Sequence, residues 1–203
     1  MKSITNKYNV DSLEFNNTNF NVCFVGLDGA GKGTYIDLLI HDYRKVKKNY
    51  KLCYLGHGSH HLSLVKKIVR IKDSMKSRGF AYKLMLMIYL LLLPLDLLLR
   101  RGFTRHDVVI LDRHPRYEPI VEKGVFKIYD MIVCYICPDP DLVIYLSGPT
   151  KELWERKKEY SYDQYLYKKE SLDTLTERYK SKFLTIEIDT SSDIGQVYDK
   201  IKM

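Results

Sequence analysis

The chain has 203 residues, 45% of them hydrophobic, which is enough for one well-filled domain and short for two. Its formal charge of +8 is spread out, with 33 Lys and Arg interleaved among 25 acidic residues and no nucleic-acid-binding motif beside them; small anionic ligands and solvated faces account for it, and no nucleic-acid partner is expected. Four cysteines are too few for a disulfide scaffold, and Cys23 and Cys53 fall inside strand-like apolar segments, so a reducing, cytoplasmic setting is expected.

In chain order, residues 1–19 are polar, lack the apolar core of a signal peptide, and read as an extension to a domain spanning 20–203. Residues 21–25 (Asn21-Val22-Cys23-Phe24-Val25) read as a short buried strand, and a glycine-rich run leads from it into a helix expected over 33–48, with Ile36, Leu39 and Ile40 on one face. A second strand at 51–55 precedes Gly56-His57-Gly58-Ser59-His60-His61 and helices at 62–77 and 81–101. The second of these helices contains the apolar extreme of the chain, residues 84–93. Pro94 and Asp96 interrupt it before the roughly 18 residues of a membrane span, so a central buried helix is expected, with a twin subunit or a membrane surface as alternative cover.

A third strand at 107–111 runs into Asp112-Arg113-His114, and beyond it Pro115, Pro119 and Gly124 break any long helix. A helix at 127–137 carries Cys134-Tyr135-Ile136-Cys137. Its apolar setting, with no second cysteine pair near it, reads as structural thiols rather than a zinc site, even with His57, His60 and His61 upstream. Strands at 142–146 and 183–188 and helices at 150–159, 164–182 and 194–202 complete the series. Strands alternating with helices in this way imply an α/β fold of three layers, with a central five-stranded parallel sheet covered by helices on both faces and ligands gathered at the carboxyl ends of the strands.

Two motifs carry chemistry. Gly26-Leu27-Asp28-Gly29-Ala30-Gly31-Lys32-Gly33-Thr34 stands between a strand and a helix, the context of a phosphate-binding loop. Its glycines allow the tight turn that points successive N–H groups at a triphosphate, and Lys32 is placed to reach the β/γ-phosphates. Gly33 occupies the position where a Ser or Thr normally supplies a hydroxyl to Mg²⁺, so Thr34 takes that role, an order shared with adenylate kinases. The second motif is Asp112-Arg113 at the end of a buried strand. Asp112 suits Mg²⁺, and Arg113 offers a planar fork to phosphate oxygens.

Together these motifs resemble the thymidylate kinase branch of the P-loop nucleoside monophosphate kinases. The likeness extends through residues 101–114, Pro140-Asp141-Leu142-Val143-Ile144-Tyr145-Leu146 and Asp189-Thr190-Ser191, and so covers most of the chain from Phe20 onward. The resemblance implies a P-loop kinase fold in which Asp28 contacts the acceptor sugar hydroxyl and Arg113 bridges the donor and acceptor phosphates. It also implies a short basic lid near 154–163, where Arg156, backed by Lys157 and Lys158, closes over the transferring group. The chain departs from that family after strand two, where Gly56 to His61 replace an Arg-Glu-Pro-Gly-Gly element; in residues 90–99, which carry no base-reading arginine; and in His114-Pro115-Arg116-Tyr117 after the Asp-Arg pair.

The expectation is therefore an enzyme that moves the γ-phosphoryl group of ATP, with Mg²⁺, to a nucleoside monophosphate. A same-fold kinase acting on a nucleoside or on a sugar or lipid-linked acceptor is the alternative, and a nucleotide-binding regulator without turnover is a third. The expected acceptor site is formed by Asp28, His57, Arg113 and Arg116, all of which follow the carboxyl ends of strands one to three. A small molecule is the expected partner, and a homodimer is compatible with the apolar helix.

Overall fold

The computed structural model describes residues 20–56, 60–75, 79–102, 106–118 and 126–201; the extension 1–19, His57 to Ser59, Pro119 and Gly124 lie outside them. Five strands, β1 (Phe20–Gly26), β2 (Tyr50–Tyr54), β3 (Val108–Asp112), β4 (Leu142–Ser147) and β5 (Leu184–Asp189), alternate with seven helices among the described residues: α1 (Lys32–Lys45), α2 (Ser63–Ser74), α3 (Phe80–Arg101), α4 (Phe126–Ile136), α5 (Thr150–Lys157), α6 (Tyr162–Tyr179) and α7 (Ile194–Ile201). All strand pairs are parallel, in the order β2-β3-β1-β4-β5, which makes this an α/β protein. The chain passes from β1 to the edge strand β2, inserts β3 between them, and then crosses to the other side of β1 for β4 and β5. The crevice at the carboxyl end of β1 is therefore the topological switch point, flanked by the loops that leave β1 and β3.

Hydrophobic strands place the core. Val22, Cys23, Phe24, Val108, Ile110, Leu111 and residues 142–146 are buried, because a sheet covered on both faces needs near-continuous apolar runs. In register, Phe24 of β1 and Tyr54 of β2 both stand beside Asp112 of β3, so β2 and β3 end level with each other, two residues before the end of β1. The expected elements all form. The largest differences lie at helix ends: α1 stops at Lys45 and α6 at Tyr179, each three residues short of expectation, and α6 starts two residues early, at Tyr162, because Ser161 and Gln164 make a capping box, each side chain bonding the other's backbone N–H at 3.3 Å.

The helix expected over 81–101 forms: α3 runs through Pro94 for 22 residues, with Leu93, Asp96 and Leu97 on either side buried. The expectation that Pro94 and Asp96 cut the apolar run short of a membrane span is corrected, since residues 80–100 are long and apolar enough for one. The helix is also not buried all round, because Phe80, Leu84, Met87, Leu91 and Leu95, spaced three and four apart, form an exposed stripe, and only 28% of its most apolar window is buried. By length and composition it is the one helix among the described residues that could cross a membrane.

Buried Asp96 on α3 organises the chain after β2. Its Oδ1 accepts the backbone N–H groups of His61 (2.7 Å) and Leu62 (2.6 Å), and its Oδ2 pairs with the Arg100 guanidinium. Arg100 donates in turn to the carbonyl of Gly56 (2.9 Å) and lies 2.9 Å from Nδ1 of buried His60. This hub ties Gly56, His60, His61 and Leu62 to α3.

Candidate functional site

The glycine run turns because two of its residues adopt left-handed backbone, Gly29 at φ 92° and Gly31 at φ 82°. Gly31 caps α1 with no side-chain hydrogen bond, and Gly33 and Thr34 behind it are exposed, so the first amides of α1 have no capping side chain. From the other side the loop is clamped. The Tyr165 hydroxyl of α6 donates to the carbonyl of Asp28 (2.7 Å), Arg156 of α5 donates to the carbonyl of Gly29 (3.1 Å), and a Cβ on Gly29 would stand 2.3 Å from the Leu153 carbonyl oxygen. Ala30 is buried beneath it.

Lys32 is not extended into solvent. It is 8% exposed, and its Nζ donates to the carbonyls of Gly26 (2.7 Å) and Leu27 (2.9 Å), folded over its own loop. Burial, with the Arg113 charge adding to it, brings its pKa down to about 8 against the pull of Asp28, Glu118 and Asp112.

Asp112 ends β3 beside Phe24. Burial raises its pKa above the ordinary carboxylate value, opposed by Lys32 and Arg113, and its Oδ1 is buried with no hydrogen-bond partner among the described residues. An orphaned buried carboxylate oxygen is a costly feature, and it suits a group awaiting a cation. Arg113 adopts a left-handed φ of 70°, unusual for a residue with a side chain, and its backbone N–H bonds the Phe24 carbonyl at 3.2 Å. That turn aims its guanidinium back across the crevice, where one nitrogen pairs with Asp28 and another with Glu118. Burial works to lower its pKa, but these two carboxylates outweigh it and fix the charge; burial likewise works to raise that of Asp28, which Arg113 and Lys32 hold below its usual value. Gly56 completes the contact, since a Cβ there would meet Arg113 Cδ and the Tyr54 hydroxyl, each at 2.6 Å.

Arg113 and Asp28 open onto a cavity of about 840 Å³ whose walls include Tyr54, Tyr117, Glu118, Lys157, Tyr160 and Lys168. Arg116 is not on that wall. It points away, to Asp139 (2.5 Å) and over the Tyr179 and Phe183 rings, so the structure separates it from the expected acceptor site. His57 lies outside the described residues. His114 is buried and structural: its Nδ1 accepts the Arg116 N–H (3.2 Å) and its Nε2 donates to the Pro138 carbonyl (3.0 Å), while burial lowers its pKa to about 4 and keeps it neutral. On α5, Arg156 reaches the loop, Lys157 lies 3.4 Å from Glu159, and Lys158 leaves the helix in a left-handed conformation over Trp154. None of the four cysteines is in a disulfide, and no cluster of three metal-binding side chains occurs among the described residues.

Sequence reading missed Glu118, Tyr165 and the Asp96–Arg100 pair. Only Arg100 carried a signal, four residues after an acid on one helix face, and it lies just past the segment searched for a base-reading arginine. The chain matches no protein-family model and no curated protein.

Proposed function

We propose that the chain is a P-loop kinase of thymidylate kinase-like type, transferring the γ-phosphoryl group of ATP to a small acceptor held in the 840 Å³ cavity. The observation that carries the reading is the loop itself: uncapped α1 amides, two left-handed glycines and the Lys32 ammonium converge at the switch point of a parallel sheet. Phosphoryl transfer needs positioning and charge compensation more than covalent chemistry, and these groups offer both. Lys32 leaves the Gly26 and Leu27 carbonyls to pair with the terminal phosphates. Arg156, anchored on Gly29, stands beside the loop to offset charge on the transferring oxygens.

Mg²⁺ fits this site. The orphaned Asp112 Oδ1 and the exposed Thr34 hydroxyl would hold it, and when bound it offsets the charge of the phosphate oxygens. Across the crevice, Asp28 and Arg113 orient the acceptor, for which the thymidylate kinase resemblance implies a nucleoside monophosphate. Equilibrium binding of ATP, followed by ADP release across a panel of acceptors, tests the proposal, with Lys32→Met as the control. Binding in the wild type that is weakened in the variant is expected, and no measurable ATP binding refutes it.

A further inference from the structure

A single side-chain hydroxyl from α6 holds the glycine loop at the point where donor and acceptor sides meet. The capping box of Ser161 and Gln164 fixes where α6 begins, and Tyr165 follows in the first turn with its N–H on the Ser161 carbonyl at 3.0 Å. Its side chain is 3% exposed, and its hydroxyl donates to the Asp28 carbonyl at 2.7 Å. Burial, with the Asp28 charge adding to it and Arg156 opposing, pushes the Tyr165 pKa up to about 12, so the hydroxyl keeps its proton at neutral pH. One residue on, Arg156 holds the Gly29 carbonyl at 3.1 Å, so two successive loop carbonyls are taken by α5 and α6.

A trans peptide points its C=O and its N–H in opposite directions. Holding the Asp28 carbonyl on the α6 side therefore turns the Gly29 N–H away from α6, and that N–H has no hydrogen-bond partner among the described residues. The next amide along is already committed, since the Ala30 N–H bonds the Leu27 carbonyl at 3.2 Å. Asp28 also carries the carboxylate that pairs with Arg113 on the cavity wall. One hydroxyl thus fixes an unused donor on the loop and the residue that faces the acceptor.

Resting on the kinase reading above, we infer that Tyr165 is a positioning residue for phosphoryl transfer, aiming the Gly29 N–H at the phosphate oxygens next to the transferring group while it holds Asp28 toward the acceptor. In the transfer, an anionic oxygen of the acceptor phosphate bonds to the γ-phosphorus as the bond from that phosphorus to the β,γ-bridging oxygen breaks, and the electron pair stays on ADP. Charge builds on the departing oxygen, where an N–H already aimed at it gains most. Without the Tyr165 hydroxyl the Asp28–Gly29 peptide is free to turn, and the loss falls on turnover more than on binding of either substrate.

Asp28-Gly29 is the only Asp-Gly step in the sequence, so protein labelled at the aspartate carbonyl carbon and the glycine nitrogen gives one carbonyl-coupled amide signal in NMR, and it belongs to this peptide. Its amide proton reads the Gly29 N–H, and its carbonyl carbon reads the Tyr165 hydrogen bond. ATP with Mg²⁺ is expected to move that proton downfield in the wild type. In Tyr165→Phe, which keeps the ring and its packing, the carbonyl signal is expected upfield of wild type before ATP is added, and the ATP-induced proton shift falls by half or more. With thymidine monophosphate as acceptor, kcat of Tyr165→Phe is expected to fall about tenfold or more while the two KM values change less than about threefold. The wild-type titration needs neither turnover nor a substitution, so it decides the inference even where that acceptor is poor or the variant does not fold. A wild-type Gly29 proton that ATP binding leaves in place, or an ATP-induced shift equal in the two proteins, overturns the inference and leaves the kinase reading intact. So does an unchanged kcat, or a loss carried by the KM values alone. Absence of ATP binding refutes the kinase reading and this inference with it.

Discussion

Replacing Lys32 with Met is expected to make the protein more stable and catalytically dead at the same time. Lys32 is charged at neutral pH although it is 8% exposed, and its pKa has fallen from the ordinary 10.5 to about 8. The unfolded chain binds the proton below about 10.5 and the folded one only below about 8, so stability falls as pH drops through that window and the full cost is present below it. That difference corresponds to roughly 3 kcal/mol at pH 7. Against it stand the two hydrogen bonds to Gly26 and Leu27, worth about 1 kcal/mol each. A net gain of about 1 kcal/mol follows at pH 7, read as a higher denaturant midpoint that shrinks as pH rises and falls below wild type above about pH 10, where only the lost hydrogen bonds remain. A triphosphate beside Lys32 restores its ordinary charge, so ATP binding near pH 8 should take up about half a proton, measurable by calorimetry in two buffers of different ionisation enthalpy. A Lys32→Met protein less stable than wild type at pH 7, or ATP binding at pH 8 without proton uptake, refutes the reasoning.

Asp112→Asn removes a buried, unpartnered carboxylate; it is expected to melt at or above the wild-type temperature while raising the Mg²⁺ needed for half-maximal turnover, and an unchanged Mg²⁺ titration removes Asp112 from the site. Asp96→Ala leaves the Arg100 guanidinium buried and two backbone N–H groups unsatisfied, an expected loss of about 3–5 kcal/mol by chemical denaturation. Burial works to raise the Asp96 pKa, but the backbone N–H of Leu62 and Arg100 hold it below its usual value, so the wild-type contribution is present above about pH 4 and lost as pH falls through that lower folded value. Leu91→Glu, at a position 76% exposed, is expected to change stability by less than about 0.5 kcal/mol; a larger loss shows that the α3 stripe is covered in solution.

The layers were legible because buried parallel strands and amphipathic helices write different periods into the sequence, and the loop was legible because glycine spacing and its strand and helix flanks are local. Asp28 and Arg113, 85 residues apart, were legible as neighbours only because both follow the carboxyl ends of strands, whereas Tyr165, which reaches Asp28 across 137 residues, carried no such signal. Arg116 shows the limit on the same stretch: it also follows the end of β3, but Arg113, directly after Asp112, adopts the left-handed backbone that aims its side chain across the crevice, and Arg116 turns to Asp139. The α3 helix was misjudged for a different reason. An apolar composition says that a helix needs cover, and only the fold says which of its faces receives it.

Two glycines in one loop separate architecture from ligand binding. At Gly29 the backbone φ is 92°, and an added Cβ would stand 2.3 Å from the Leu153 carbonyl oxygen, a main-chain atom of α5 that cannot rotate away. Gly29→Ala must push the loop off α5, breaking the Arg156 and Tyr165 contacts, and is expected to cost about 2–4 kcal/mol whether or not ATP is present. Gly33 lies in the first turn of α1, and its added Cβ meets nothing within 4 Å. Gly33→Ala is therefore expected to stabilise the free protein by about 0.5–1 kcal/mol, as alanine does in a helix. If the α1 amides hold phosphate, the same methyl group enters the space that the phosphate needs, so ATP affinity falls while stability rises. Thermal midpoints with and without ATP read both effects in one experiment. A Gly33→Ala protein that keeps the full ATP-induced shift would remove the α1 N-terminus from the donor site.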